Sequence, residues 1–273
     1  MSTLVQALGD GAVIAKRNLI KIKRVPDLLV FATLSPIMFV LLFAYIFGGA
    51  VDLGGTGGVD PRLYREFLIA GIFAQTVVFG ATITGASLAE DLQKGVIDRF
   101  RSLPMSGSAV LVGRTVADVA NNLIAIVVMG LTGLVVGWRI RTSVLDALIG
   151  LGVLLLFAYA MSWVMAVVGL LVRTPEVVNN ASFIVIFPLT FCANTFVPLE
   201  SFPAPLRAFA EWNPVSAVTQ AARERFGNVV PGAGVPDVWA LQHPVTYTIL
   251  WTAVMLAIFV PLSIRMYHRA ASR

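Results

Sequence analysis

The residue types that enzymes use for catalysis are sparse in this sequence and are not spaced for a reaction. A chain that hydrolyses ATP needs a loop of the form G-x-x-x-x-G-K-[ST] to hold the phosphates, and the sequence has none. Its two histidines, His243 and His268, form no H-E-x-x-H pattern, and its one cysteine, Cys192, lies in an apolar run. We therefore expect no catalysis, no metal and no cofactor on this chain, so its energy must come from a partner or a gradient.

The stretch EDLQKGVIDRFRSLP, residues 90–104, has the composition of a binding surface for a soluble protein. It carries six charges in fifteen residues, in a chain that is otherwise poor in charge. Gly95 and Pro104 delimit a predicted helix of about two turns. Its apolar ridge consists of Val96, Phe100 and Leu103, and the charged residues beside the ridge are Asp98, Arg99 and Arg101. Such a ridge fits a groove on a soluble partner. The alternative is a solvated loop that only sets the topology.

The first 25 residues are predicted to form a helix that lies on the membrane surface. Between residues 4 and 22, apolar residues repeat with the period of an α-helix, and Asp10, Arg17 and Lys21 fall on the opposite face. Such a helix buries its apolar face among the lipid headgroups and offers its cations to anionic lipid. The alternative is a basic patch that only sets the topology.

Polar and aromatic residues inside the second and fifth apolar runs are the candidates for contact with a cargo. The polar candidates are Gln75, Thr82, Asn179, Asn180 and Asn194. In the fifth run Phe183, Phe187 and Phe191 form a stripe at i, i+4 and i+8, which would suit an amphiphilic molecule. Alternatively, the polar residues only make contacts between helices, and the phenylalanines only face lipid.

Ionisable residues are rare inside the apolar runs. Arg114 and Asp118 stand at i and i+4 near the start of the third run, and we expect them to pair with each other. The centres of the runs contain no Asp, Glu or His, the groups that a proton-driven carrier would bury there. This distribution disfavours a gradient-driven carrier.

The composition predicts a membrane protein with several helical spans. Of the 273 residues, 58% are hydrophobic and 13% are charged, about half of the charged share in soluble domains, and the mean hydropathy is +0.84. These values exclude a water-soluble enzyme, a disordered protein and a disulfide scaffold. The apolar runs are continuous and about 20 residues long, which excludes the alternating pattern of an outer-membrane barrel. The net charge of +5 indicates basic cytoplasmic loops rather than a nucleic-acid partner.

Six apolar runs predict six transmembrane helices in an all-α fold. They lie at residues 28–48, 66–89, 108–137, 144–172, 177–197 and 246–265. An even number of spans puts both termini on one side of the membrane. Of the 20 basic residues, 13 lie on the side of the termini, so the positive-inside rule predicts that both termini are cytoplasmic.

The long external segment, residues 198–245, is predicted to contain a helix that dips toward the membrane and covers the external end of a path for cargo through the protein. Asn213 can cap this helix, Pro214 can start it and Gly227 can end it. Its apolar face consists of Val215, Val218, Ala222 and Phe226. The alternative is a helix that rests on the bilayer surface.

Two stretches of the sequence resemble the type-2 family of ABC transporter permeases. Residues 90–114, from the charged stretch to the following Gly-Arg pair, are similar to the family's cytoplasmic segment. Residues 196–203, together with Trp212-Asn213-Pro214, are similar to its Phe-Pro turn and Asn-Pro element. Within the family, the chain looks most similar to the drug exporter subunits of the daunorubicin- and doxorubicin-resistance type. The six-run layout and the length agree, so the resemblance covers nearly the whole chain.

The resemblance implies an organisation and a set of partners. It implies an interfacial helix over residues 1–25, a permease domain over 26–273, and a coupling helix within residues 90–106 that docks on a separate ABC ATPase subunit. It implies two copies of that ATPase, which hold the ATP and Mg²⁺, and a second permease copy or a paralogous one. It also implies that the second and fifth spans lie nearest the cargo path, in the inner membrane of a bacterial cell.

The function that follows from the resemblance is export of a hydrophobic or amphiphilic drug-like molecule, or of a lipid. Three alternatives remain open at this point. They are a permease for lipid-linked or polysaccharide cargo, a gradient-driven carrier or channel, and a membrane anchor that transports nothing.

Overall fold

The structure is a computed structural model that describes residue 34 and residues 36–47, 61–96, 109–172, 174–230 and 237–270. Throughout these residues the regular structure is helical and contains no strand, so the predicted all-α fold is confirmed for them. The helices are α1 (Pro36–Ile46), α2 (Pro61–Gly80), α3 (Thr82–Gln93), α4 (Ala109–Val136), α5 (Val144–Leu171), α6 (Pro175–Phe191), α7 (Ala204–Trp212), α8 (Pro214–Phe226), α9 (Trp239–Gln242) and α10 (Pro244–Ala270). A 3-10 turn, Leu199–Ser201, precedes α7.

Every predicted apolar run overlaps a helix, but the helices differ in length from the runs. Four stretches in the described part are long and apolar enough to cross a bilayer, namely Pro61–Gln93, Val110–Val136, Val144–Leu171 and Pro244–Arg269. The helices in the first and fifth runs, α1 and α6, are shorter. By length and composition, the described residues therefore contain four candidate membrane spans, the first of which consists of α2 and α3, against the six spans that were expected.

α6 is shorter than the fifth run because the chain turns before the run ends. The helix ends at Phe191, six residues before the predicted end at Val197. The Asn213 amide caps this end by donating to the carbonyl oxygens of Leu189 and Cys192 at 2.7 and 3.1 Å. The turn that follows folds back toward α2, where the Tyr64 hydroxyl donates to the carbonyl of Phe196 at 3.3 Å.

The helix predicted after Asn213 is confirmed as α8. The Asn213 side chain accepts from the backbone N–H of Val215 at 2.9 Å, and Gly227 ends the helix in the left-handed conformation with φ of 71°. Its predicted apolar face is fully buried, and α8 packs against α2, α5 and α10. The helix is thus part of the helical bundle and not a separate surface element.

α5 lies at the centre of the bundle and contacts α3, α4, α8 and α10. Its crossing with α3 depends on two glycines. A Cβ placed on Gly169 would lie 2.8 Å from the Cα of Gly85, so the two backbones touch directly. This contact holds α3 against the middle of the protein.

Two predicted elements lie wholly or mostly outside the described residues. The N-terminal interfacial helix over residues 1–25 is one of them. Of the predicted coupling residues, Asp98, Arg99, Phe100, Arg101 and Leu103 also lie outside, and only Gly95 and Val96 are described. Gly95 has φ of 63° and follows the end of α3, where its N–H donates to the carbonyl of Leu92 at 3.1 Å. Gly95 therefore follows a helix end. The short helix predicted between Gly95 and Pro104 stays a prediction, because nearly all of it lies outside the described residues.

Candidate functional site

The phenylalanine stripe predicted in the fifth run lies along an open face of α6. The helix packs on α3 through a narrow buried stripe that consists of Val178, Ser182, Ile186 and Thr190. Phe183 and Phe187 lie outside that stripe and are 54% and 49% exposed in the single chain. The ring of Phe183 meets the ring of Phe79, from the end of α2, edge to face at a centroid distance of 5.8 Å. The stripe is therefore half-buried against the bundle and half-open to its surroundings.

The stripe continues as a row of touching rings that connects α6 to α1. Phe187 stacks on Phe191 with a centroid distance of 4.1 Å, and Phe191 lies 5.1 Å from Phe196 in the turn after α6. Phe196 stacks on Phe43 of α1 at 4.6 Å. We call these residues, with Phe39 next to Phe43 at 6.0 Å, the aromatic row. Rings at such distances attract one another, in addition to the gain from burying apolar area. Phe196 is buried and Phe187 is half-exposed, so the row runs from the core of the bundle to the open face of α6.

Sequence reasoning found only part of the aromatic row. Phe39 and Phe43 stand at i and i+4 in the first apolar run, a spacing that could have drawn attention to them. Phe196 lies in a turn, so no periodic signal marks it. The same is true of Phe79, which contacts the stripe but is not part of the row and is a single residue at a helix end. Their roles depend on tertiary contacts.

The predicted polar cargo residues fall into two groups. Asn179 and Asn180 are exposed on α6, one turn before Phe183, and lie on the open side of the bundle. Thr82 is half-buried and donates to the carbonyl of Phe79 at 2.7 Å, so it lies beside the contact between Phe79 and Phe183. Gln75 and Asn194 are buried. The structure thus brings Thr82 and the two α6 asparagines close to the phenylalanine stripe and places Gln75 and Asn194 inside the bundle.

Arg223 of α8 is a fully buried cation that holds the turn after α6. Its guanidinium donates to the carbonyl of Phe67 at 3.1 Å and to those of Asn194 and Thr195 at 2.6 and 3.2 Å. The guanidinium carbon lies 3.4 Å above the ring centroid of Phe67. No carboxylate in the described part of the chain forms a salt bridge with it. Carbonyl dipoles and one aromatic face therefore solvate this charge, and it ties α2, α8 and the turn into one unit.

The loop between α4 and α5 closes over the end of α8. Trp138 donates its indole N–H to the Asn228 side chain at 2.7 Å. Arg141 forms two-pronged hydrogen bonds with the buried Glu66 carboxylate, the shortest at 2.7 Å. The Glu66 carboxylate raises the pKa of the Arg141 guanidinium above its already high ordinary value, because it hydrogen-bonds and attracts the charged form. These polar contacts join the loop to α2 and to the residues that follow α8.

The expected pair between Arg114 and Asp118 is wrong. Arg114 instead forms a salt bridge with Asp91 of α3, with 2.7 Å between Nη1 and Oδ2. Asp118 is buried and accepts a short hydrogen bond from the Thr84 hydroxyl. Both contacts cross the interface between α3 and α4, because the side chains of Arg114 and Asp118 point toward the neighbouring helix rather than along their own.

Comparison with known proteins finds a family and several curated relatives. The model of the ABC-2 type transporter family matches residues 11–226. A daunorubicin resistance ABC transporter permease protein from Streptomyces coeruleorubidus is 33% identical over 252 residues, which cover 92% of this chain and 83% of that protein. A Mycobacterium tuberculosis protein named as a doxorubicin resistance ABC transporter permease is 26% identical over 247 residues, covering 88% of this chain and 82% of that protein.

A more distant relative comes from the alga Pyropia yezoensis. It is named as a transport permease, and it is 24% identical over 216 residues that cover 78% of this chain and 72% of that protein. The range matched by the family model begins before α1 and ends at the last residue of α8. It therefore contains the aromatic row, the charged stretch after α3 and the buried Arg223.

Proposed function

This chain belongs to the ABC-2 type transporter family, and from that membership we propose that it is the membrane-spanning permease subunit of an ATP-driven exporter. The family implies a partnership with an ABC ATPase subunit and a permease dimer. In our proposal two ATPase subunits bind ATP and Mg²⁺ and pair with two permeases, which are identical or paralogous. The sequence of this chain has no phosphate-binding loop, which supports a division of labour between subunits.

The proposed cargo is a hydrophobic or amphiphilic drug-like molecule, or a lipid, that leaves the cell. The observation that carries this part of the proposal is the open face of α6, where Phe183 and Phe187 stand beside Asn179 and Asn180. A flat apolar surface with amide groups at one end matches a molecule that has an apolar body and a polar edge. The names of two relatives, which refer to daunorubicin and doxorubicin resistance, agree with such a cargo.

The experiment that tests the subunit role is affinity purification of the tagged chain from membranes of the cell it comes from. We expect an ABC ATPase to co-purify, and we expect daunorubicin to stimulate ATP hydrolysis by the purified complex. A chain that purifies without any ATPase and transports in response to a proton gradient would point to the gradient-driven alternative. A complex that hydrolyses ATP but ignores daunorubicin and responds to lipid-linked glycans would point to the polysaccharide alternative.

We expect both termini and the segment after α3 to lie in the cytoplasm of a bacterial cell, with the protein in the inner membrane. The support is the excess of basic residues on that side. A cysteine in place of Lys94 should react with a membrane-impermeant maleimide only in inside-out vesicles. One in place of Thr56 should react only in intact or right-side-out preparations. Labelling of both positions from the same side would contradict the six-span topology.

The Phe187→Ala variant should respond more weakly to cargo while it still assembles with the ATPase. Phe187 is 49% exposed and ends the aromatic row, so its ring can reach a bound molecule without leaving its packing position. The loss of one aromatic contact should raise the daunorubicin concentration for half-maximal stimulation about three- to tenfold. The measurement is a daunorubicin titration of ATP hydrolysis by the reconstituted complex.

Ile184→Ala is the matched control for this variant. Ile184 is more exposed than Phe187, lies on the same helix and is not part of the aromatic row. We expect its titration curve to match that of the unmodified protein. Equal curves for Phe187→Ala and the unmodified protein, for every cargo tried, would assign the phenylalanine stripe to lipid contact.

A further inference from the structure

Three contacts follow one another along the interface between α4 and the segment that runs from the end of α2 through α3. The Asp91 carboxylate pairs with Arg114, and the Thr84 hydroxyl donates to Asp118. The Asn122 side chain packs against Gly80 so closely that a Cβ on the glycine would collide with it, which is a steric contact and not a hydrogen bond. We call these three contacts the interhelical clamp. As the positions 80, 84 and 91 rise, their partners at 122, 118 and 114 fall, so the two segments run antiparallel with the three contacts in register.

The interhelical clamp lies among apolar residues, so its polar groups favour one relative position of the two helices. Leu88, which lies between Thr84 and Asp91, and Leu111, three residues before Arg114, are buried and belong to one apolar cluster with Trp163 of α5. Asp118 is only 4% exposed. A charged or polar group that slides away from its partner here meets hydrocarbon, which is costly. The contacts therefore fix the axial position of α3 against α4 more sharply than apolar packing alone.

The orientation of the ion pair in the clamp opposes the dipoles of its helices. Asp91 lies in the last turn of α3 and Arg114 in the second turn of α4. A negative charge at a helix C-terminus and a positive charge near an N-terminus are both unfavourable for the helices that carry them. The pair therefore does not stabilise either helix locally, and its contribution comes from joining them.

The clamp joins the two helices that lead into and out of the charged stretch after α3. α3 ends at Gln93 and α4 begins at Ala109, and the stretch that we propose as the coupling segment lies between them. A force on that segment that passes along the chain enters the bundle at these two helix ends. If the ends were free to slide past each other, part of the motion would be lost in their relative displacement.

We propose that the interhelical clamp makes α3 and the start of α4 move as one unit, with Asp91 and Arg114 as positioning residues for the transmission of force from the ATPase. This inference rests on the proposed function, because it assigns the clamp to the coupling step. The stated contacts are independent of any partner, so the mechanical part of the inference is testable on the chain alone.

Hydrogen exchange on the full chain in nanodiscs, without ATPase, tests the mechanical part. Asp91→Asn and Arg114→Gln should each speed amide exchange at the end of α3 and in the first two turns of α4 by about tenfold, because local opening becomes easier. The charge-swapped double variant Asp91→Arg/Arg114→Asp should bring the exchange rate back to within about threefold of that of the unmodified protein, because the pair is re-formed and the helix dipoles favour its swapped orientation. Lys94→Gln is the control, because it removes an exposed salt bridge of similar length between Glu90 in the last turn of α3 and the residue that follows the helix.

The second readout is the ratio of daunorubicin-stimulated to basal ATP hydrolysis in the complex with the co-purified ATPase. Both single variants should retain the ATPase yet lose most of the stimulation, and the charge-swapped variant should regain it. Exchange that is unchanged in both single variants, or as fast in the double variant as in the singles, overturns the clamp. Faster exchange with normal stimulation overturns the positioning role. An unmodified chain that binds no ATPase refutes the proposed function and leaves the exchange result to decide on the clamp itself.

Discussion

Replacing Phe100 by alanine should abolish cargo-stimulated ATP hydrolysis while the protein remains folded and inserted in the membrane. Phe100 is the largest residue of the apolar ridge predicted in the charged stretch after α3. The truncation of an aromatic anchor in an interface typically costs about 2 kcal/mol or more, which is about a thirtyfold loss of affinity. The measurement is retention of the ATPase on the tagged permease, together with the daunorubicin response of whatever complex remains.

Two further variants separate the ridge from its charged rim. Ser102→Ala, a small change in the same segment outside the ridge, should leave ATPase binding unchanged. Arg99→Glu reverses a rim charge and should weaken binding less than Phe100→Ala, with a stronger dependence on salt concentration. Normal ATPase retention and normal stimulation in Phe100→Ala would show that the segment is a solvated loop and that our coupling assignment is wrong.

Replacing Arg223 by methionine should lower the free energy of unfolding by at least about 3 kcal/mol, because three buried carbonyl oxygens lose a charged donor and Phe67 loses a stacked cation. Methionine keeps much of the length and apolar volume of the arginine stem but has no donor. The hydrogen bonds that Arg223 donates to the carbonyls of Phe67, Asn194 and Thr195 are all buried. The measurement is a denaturant titration in mixed micelles, monitored by helix content.

Arg225→Met is the matched control for the arginine, since Arg225 lies two residues further along α8. Its salt bridge with Asp146 is 3.0 Å long and partly exposed, so we expect Arg225→Met to lower the free energy of unfolding by less than about 1 kcal/mol. The stability of Arg223→Lys should lie between those of the two methionine variants. The ammonium group of lysine keeps the charge but lacks the planar fork with which the guanidinium reaches all three carbonyls. Equal stabilities for the two methionine variants would show that the buried guanidinium does not hold the turn after α6.

Local signals in the sequence predicted the ends of one helix well. Asn213, Pro214 and Gly227 marked both ends of α8 correctly. Caps and helix-breaking residues act through the backbone of their immediate neighbours, so their effect is readable without the fold. The end of α6 was misjudged because the capping group, Asn213, is 22 residues beyond Phe191 in the chain.

The long-range contacts were less accessible from the sequence. The i, i+4 spacing of Arg114 and Asp118 suggested a pair within one helix, but both residues found partners on α3. Arg223 looked like an ordinary external cation, and its burial could not be foreseen because its partners are carbonyl groups that every residue has. In the aromatic row, only Phe187 and Phe191, which repeat with the period of a helix, were predicted from the sequence.

The most direct test of the central claim is transport of daunorubicin by the purified permease–ATPase complex in sealed liposomes. For complexes whose ATPase faces outward, we predict accumulation of daunorubicin in the lumen that requires ATP and Mg²⁺. The accumulation should fail with a non-hydrolysable ATP analogue and should be lost in the Phe100→Ala variant. Accumulation driven by a pH gradient in the absence of ATP, and unaffected by Phe100→Ala, would contradict an ATP-driven permease.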